Sequence, residues 1–311
     1  MARSVEQAGV STKMSSLSRQ KRADSIAGYF FIAPALIFFG IFTVYPVLYG
    51  AYLSLFKINI LNLDKRTFVG LDNFQTVLGS EDFQIGLWNT ARFSFFVVIL
   101  QTILALLLAV AVNQKIKGRT FFRTAFFFPS ISSSVVISII FLWVFNKFGL
   151  LNYFLSLFGI NGPTWVDDPA TALPSIMALN IWTTAGTMMV IYLAALQDIP
   201  GHLYEAASID GATAFQRFMK ITVPLLSSTT FFIVTLGLIG TFQMFDQAFV
   251  ISNGSGGPER STLTVVFYIY QQAFKELNGM GVAAAGAVVL FAIIFILTLL
   301  QRTLFKTEQQ Y

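Results

Sequence analysis

Six long apolar stretches constrain this chain more than any other feature of its sequence. A helix needs about 20 largely apolar residues to cross the hydrocarbon core of a bilayer, and the stretches 28–55, 93–112, 126–145, 174–196, 225–251 and 282–300 supply them. The first carries no charge between Asp24 and Lys57. It is far longer than the apolar core of a signal peptide, so a retained helix is expected. The runs are continuous, whereas a membrane β-barrel shows short segments of alternating polarity. Pro34, Pro46 and Pro129 fall in or near them, which is tolerated where neighbouring groups satisfy the freed carbonyls. The expected fold class is all-α: a polytopic membrane protein with six transmembrane helices. It divides into a tail at 1–27, a helical domain at 28–302 and a second tail at 303–311.

Composition removes most other classes. Charged residues make up 11% of the 311, against about a quarter in soluble domains. Hydrophobic residues reach 55%, which excludes disorder as well as a water-soluble enzyme. There is no cysteine and one histidine, so disulfides, thiolate nucleophiles and Cys- or multi-His metal centres are excluded. No catalytic and no metal site is expected. The net charge of +5 reads as topology rather than as nucleic-acid binding.

An even number of spans places both termini on one side. Arg3, Lys13, Arg19, Lys21, Arg22, Lys115, Lys117, Arg119, Arg123, Arg217, Lys220, Arg302 and Lys306 fall on that side, thirteen against seven on the other. The excess of basic residues marks the cytoplasmic face, so both termini are expected there, with the protein in a bacterial plasma (inner) membrane.

The segment 197–223 is more than a linker. Asp198 followed by Pro200 is a helix start signal, and Leu203, Ala206 and Ala207 share a helical face. Gly211 after Asp210 stops that helix. Thr213 with Gln216 three residues on has the spacing of a capping box, opening a second, amphipathic helix. Two short helices joined by a sharp turn suit either an interfacial hairpin on lipid headgroups or a docking site for a partner.

Glu205-Ala206-Ala207-x-x-Asp210-Gly211-Ala212, followed by Ile221-x-x-Pro224-Leu225-Leu226, resembles the EAA loop of binding-protein-dependent ABC importers. Phe68-Val69-Gly70-Leu71-Asp72-Asn73-Phe74 and Trp88-Asn89-Thr90 are similar to segments of the carbohydrate importers in that group. Phe245-Asp246, Gly256-Gly257-Pro258 and Tyr268-Ile269-Tyr270-x-x-Ala273-Phe274 resemble the maltose or glycerol-phosphate type of first membrane subunit. The resemblance implies a type I ABC importer permease fold. It also implies a second permease subunit, two ATPase subunits and an extracytoplasmic substrate-binding protein as partners. It makes 197–223 the coupling loop, in which Glu205 contacts the ATPase, Ala206 and Ala207 allow close approach, and Asp210 and Gly211 form the turn. No G-x-x-x-x-G-K-[ST] occurs, so this chain itself takes no cofactor; ATP and Mg belong to the ATPase subunits.

A substrate path needs polar groups at membrane depth. The fourth stretch supplies Asn180, Trp182, Thr183, Thr184 and Thr187, with Thr183 and Thr184 each one helical turn from Thr187, and the fifth supplies Thr235, Thr241, Gln243 and Asp246. The resemblance assigns sugar contacts to Thr183, Thr184, Thr187, Gly237, Thr241 and Met244. Any one of these threonines could equally serve helix packing. Hydroxyls and amides with no Lys or Arg inside a span, beyond Arg92 at one end, suit a neutral oligosaccharide or polyol. An ion-coupled secondary transporter is the alternative, but it wants ionisable groups at midplane, and Asp246 is shallow. A membrane-embedded enzyme wants a cluster of catalytic side chains, which the sequence lacks.

Overall fold

The computed structural model describes residues 28–114 and 117–304. The tail read at 1–27, with Arg3, Lys13, Arg19, Lys21 and Arg22, lies outside them, as do Lys115 and the part of the 303–311 tail from residue 305 on, with Lys306. The chain forms two compact units that divide after Leu53.

The first unit is helix α1, Gly28–Leu53. No residue of it is buried within the chain. Pro46 has no N–H to donate back up the helix, and the preceding turn widens into a π segment, Gly40–Val44, in which the Tyr45 N–H bonds the Gly40 carbonyl.

The second unit opens with a feature the all-α reading missed, a two-stranded antiparallel hairpin of β1 (Phe56–Asn59) and β2 (Asn62–Phe68). Its register pairs Phe56 with Phe68 and Ile58 with Arg66. Helices α2 (Asp72–Gly79), α3 (Glu81–Asn113), α4 (Arg119–Ile131), α5 (Ser134–Val144) and α6 (Leu150–Ser156) follow. Next come α7 (Pro169–Asp198), α8 (Gly201–Ile209), and α9 (Ala214–Arg217) with its π-helical continuation Phe218–Thr222. The chain ends in α10 (Ser227–Phe242), α11 (Asp246–Ile251), α12 (Val265–Phe274) and α13 (Met280–Leu304). Each spanning helix is explained by its apolar run, but three boundaries move. Helix α3 begins at Glu81, well before the apolar run at 93, because Ser80 caps it by accepting from the Phe83 N–H. Helix α7 begins at Pro169, where Asp168 accepts from the Ala170 N–H at 2.9 Å; Asp168 is thus a cap. It ends at Asp198, so Asp198 closes α7 rather than starting α8.

The run 126–145 is not one straight span. Helices α4 and α5 are bent by 100° at a short break. Pro129 removes a donor, and a run of serines stands in for the lost ladder. Ser130 Oγ donates to the Phe127 carbonyl at 2.6 Å and Ser132 Oγ to the Phe128 carbonyl at 3.3 Å. Ser133 is then extended (φ −60°, ψ 129°). The run 225–251 breaks as well: α10 stops at Phe242, and α11 restarts at Asp246.

Three buried clusters hold the second unit together. One joins Phe93 and Val97 to Ile176, Leu179, Met244 and Phe267. A second joins Ala105, Ala109 and Val112 to Met189, Tyr192, Leu226 and Ile233. A third packs Val77 and Phe83 against Phe242, Tyr268 and Ala285.

The two asparagines of the quoted motifs are structural pins. Asn73 Nδ2 donates to the Ser54 and Phe56 carbonyls at 2.8 and 3.0 Å. Asn89 Nδ2 donates to the Arg260 and Leu263 carbonyls at 2.9 and 3.0 Å, and Thr90 Oγ1 accepts from the Val265 N–H at 3.1 Å. The loop 252–264 is thereby tied along the first turns of α3. Its backbone needs the restraint, because Glu259 (φ 50°) and Arg260 (φ 61°) lie in the left-handed region, uncommon for residues with a Cβ. Arg260 completes the tie with contacts to Asp82 at 2.6 Å and Glu81 at 3.3 Å. The Asp82 hydrogen bond, then the Glu81 charge, hold its guanidinium pKa above the ordinary value.

Candidate functional site

The break between α4 and α5 lies against α7 and α11 and opens a cavity of about 350 Å3. Ser130, Ser132 and Ser134 line it from the break, Asn180, Thr183, Thr184 and Thr187 from α7, and Gln247 from α11. A second hollow of about 210 Å3 shares Ser134, Asn180 and Gln247 and adds Gln243, Met244 and Asp246 from the break between α10 and α11. Both hollows therefore sit where a helix is interrupted. The interruption exposes carbonyls and demands hydroxyls and amides nearby; those groups dominate the smaller hollow, and in the larger one they are set among Pro129, Ile137 and Met188.

The walls are cross-braced. Asn180 Nδ2 donates to Gln247 Oε1 at 2.9 Å. Thr184 Oγ1 lies 2.6 Å from Gln101 Oε1 and 2.7 Å from the Asn180 carbonyl oxygen. Thr183 Oγ1 donates to the same carbonyl at 2.9 Å. Asp246 is the one charged residue lining either hollow. It sits in the first turn of α11, where a carboxylate is favoured by the helix dipole.

The sequence-predicted path residues separate into two groups. Thr183, Thr184 and Thr187 meet in the larger cavity, and Gln243, Met244 and Asp246 in the smaller one. Trp182 lines neither; it is 48% exposed and packs on Phe141 with ring centroids 5.4 Å apart. Thr241 is buried, bonded to Ser94 Oγ at 2.7 Å and to the Gly237 carbonyl at 2.7 Å. Gly237 is also buried, and a Cβ there would collide with Gln101 Nε2. These two residues let α10 approach α3 closely. The serines of the break, Gln247 and Gln101 were missed. Gln101 carried a legible signal, as an amide in the middle of an apolar run. In this orientation of its carboxamide, Gln101 Nε2 is buried and meets no acceptor.

The segment 197–223 folds as two short helices. The Gly211 N–H bonds the Ser208 carbonyl at 3.2 Å and the Ala212 N–H bonds the Ala207 carbonyl at 2.9 Å. With Gly211 at φ 77°, this is a Schellman turn. Both bonds of the capping box form: Thr213 Oγ1 accepts from the Gln216 N–H at 3.2 Å and Gln216 Oε1 from the Thr213 N–H at 2.8 Å. Arg217 Nη1 donates to Ser208 Oγ at 2.6 Å, bracing one helix on the other. Glu205, Ala206 and Asp210 are exposed, as is Gly211, while Ala207 is half-buried. At the turn Ile209 is 86% exposed and Phe215 68%, so the hairpin presents apolar side chains beside carboxylates. Among the described residues no group of three or more His, Cys, Asp or Glu is placed to hold a metal.

Residues 101–307 match the family described as "Binding-protein-dependent transport system inner membrane component". A probable ABC transporter permease protein, YesP of Bacillus subtilis, is 37% identical over 94% of this chain and 94% of its own length. The lactose transport system permease protein LacF of Rhizobium radiobacter is 35% identical over 92% of this chain and 96% of its own. The sn-glycerol-3-phosphate transport system permease protein UgpA of Escherichia coli is 31% identical over 91% and 95%. Among solved structures, a bacterial ABC transporter involved in import of the acidic polysaccharide alginate superimposes with a TM-score of 0.79 at 24% identity, over 94% of this chain and 99% of that one. The all-α membrane fold expected from the apolar runs is thus the fold of an ABC importer permease. The chain belongs to the family of inner membrane components of binding-protein-dependent transport systems.

Proposed function

We propose that this chain is a permease subunit of a carbohydrate importer and forms half of a path for a neutral oligosaccharide or polyol. The supporting observation is the wall of the paired hollows: serine and threonine hydroxyls, Asn180, Gln243 and Gln247, with a single carboxylate and no cation. Such groups exchange hydrogen bonds with sugar hydroxyls, whereas a phosphorylated solute calls for Arg or Lys. Relatives named for arabinooligosaccharides and lactose agree with this choice.

The hairpin 201–222 is read as the coupling element. Its carboxylate Glu205 and the exposed Ile209 and Phe215 face a separate ATPase subunit, one of two that bind ATP and Mg. Closure of those subunits moves the hairpin. The rigid Schellman turn and capping box pass that displacement to α7 and α10, whose ends flank it. The hollows then alternate between an extracytoplasmic binding protein and the cytoplasm. A second permease subunit completes the path, both termini are cytoplasmic, and this chain performs no chemistry. Work is done by differential contact with two states of its partners.

The test is uptake by the complete importer in native membranes, with labelled maltotriose, lactose, arabinotriose and sn-glycerol 3-phosphate. ATP-dependent uptake of a neutral saccharide, lost on Glu205→Arg together with ATPase co-purification, is expected. Uptake confined to the phosphate ester would overturn the neutral-substrate reading. ATP-independent uptake that follows an ion gradient would overturn the importer mechanism.

A further inference from the structure

Gln101 is 1% exposed among the apolar residues of α3. Its carboxamide has Thr184 on one side and Gly237 on the other. Thr184 Oγ1 faces two acceptors, Gln101 Oε1 at 2.6 Å and the Asn180 carbonyl at 2.7 Å, but a hydroxyl has one hydrogen to give. Gln101 Nε2, which has two hydrogens, is sealed and without an acceptor. A half-turn of the carboxamide, which changes the shape of the side chain hardly at all, gives Nε2 an acceptor and leaves Thr184 with one; Oε1 then takes the sealed position beside Gly237, where an idle acceptor is better tolerated than an idle N–H. Nε2–H then donates to Thr184 Oγ1, and Thr184 gives its own hydrogen to the Asn180 carbonyl. The second lone pair of Thr184 is left for the cavity that this residue lines.

We propose that Gln101 is a positioning residue for the cavity: its carboxamide donates to Thr184 and so fixes the Thr184 hydroxyl as a hydrogen-bond acceptor toward the substrate. This point of the wall then favours a solute with O–H groups to donate and disfavours an anionic oxygen, which can only accept. The preference for a hydroxyl-bearing solute rests on the function proposed above. The direction of the Gln101–Thr184 bond does not.

The direction is measurable without any substrate, because the chain has no cysteine of its own. In the complete importer in native membranes, Thr184→Cys is titrated with a small methanethiosulfonate, and modification of this chain is followed by mass. An N–H donated to the sulfur stabilises the thiolate. Adding Gln101→Met, which keeps the volume and removes the donor, should raise the thiol pKa and slow modification at pH 7 about tenfold. An unchanged or faster rate overturns the proposal. In uptake of the neutral saccharide, Gln101→Met should raise the half-saturating concentration several-fold at unchanged maximal rate, and should add nothing in a Thr184→Val background. Additive losses, or a fall in maximal rate alone, would show Gln101 to be packing only. Should the wild-type importer take up no neutral saccharide, the carbohydrate reading falls, while the thiol titration still decides the role of Gln101.

Discussion

The hairpin 201–222 and the loop 252–264 both turn through left-handed backbone, yet they are held in opposite ways. The hairpin is held by its own neighbours. Its Schellman turn, its capping box and the Arg217–Ser208 contact all join residues within nine positions of one another. The loop has local turn bonds of its own, but unlike the hairpin it is also held from a distance. Asn89 reaches Arg260 across 171 residues of sequence, and Asp82 reaches it across 178. Local bonds can form whatever the rest of the chain is doing, whereas distant ones exist only when the bundle is assembled. The hairpin should therefore yield by opening on its own, and the loop by taking α3 and α12 with it.

Substitutions can break this contrast, and the largest effect is expected at the distant tie. Asn89→Leu strands two carbonyls that Asn89 now serves. It should lower stability by roughly 2–4 kcal/mol, seen as a clear fall in the thermal midpoint of the detergent-solubilised importer. A change confined to hydrogen exchange of 252–264 would break the comparison. Gly211→Val comes next. A β-branched residue at φ 77° costs about 1–2 kcal/mol, which should speed exchange at hairpin amides roughly tenfold and leave the midpoint almost unmoved. Thr213→Ala removes one half of the capping box and should cost about 1 kcal/mol, again read locally by exchange in 213–217. The smallest effect belongs to Arg260→Gln. Its ion pairs are solvent-exposed, so any loss should shrink further in high salt. A large, salt-independent loss there would mean that the guanidinium, rather than Asn89, carries the tie.

The same division explains what could be read in advance. Thr213 and Gln216 announce their cap by spacing alone, and Gly211 announces its turn, because the physics involved spans four to six residues. The apolar runs announce the spans for a similar reason. The 100° break at Ser132 and Ser133 was missed because hydropathy averages over the window in which it occurs, although Pro129 followed by four serines in five residues is its local trace. The hairpin β1–β2 was missed because a short pair of strands outside the apolar runs gives little periodic signal. At the candidate site, Thr183, Thr184 and Thr187 were legible as candidates because they recur on one helix face. Gln247 and Gln101 were not, because their relevance comes from bonds to Asn180 and Thr184 across 67 and 83 residues. The resemblance makes Thr241 and Gly237 path residues, and in the structure they lie where α10 meets α3. Depth in the membrane is legible from sequence, but which side of a helix faces a void is not.

One consequence follows from how the hairpin is made. Since residues 201–217 carry their own caps, turn and brace, the segment is portable. Moved as a unit between permeases, it keeps its shape without importing any other part of its parent. On the coupling role proposed above, a lineage could exchange the motor it answers to by trading the seventeen residues 201–217, while the far loop can be inherited only along with the helix that restrains it.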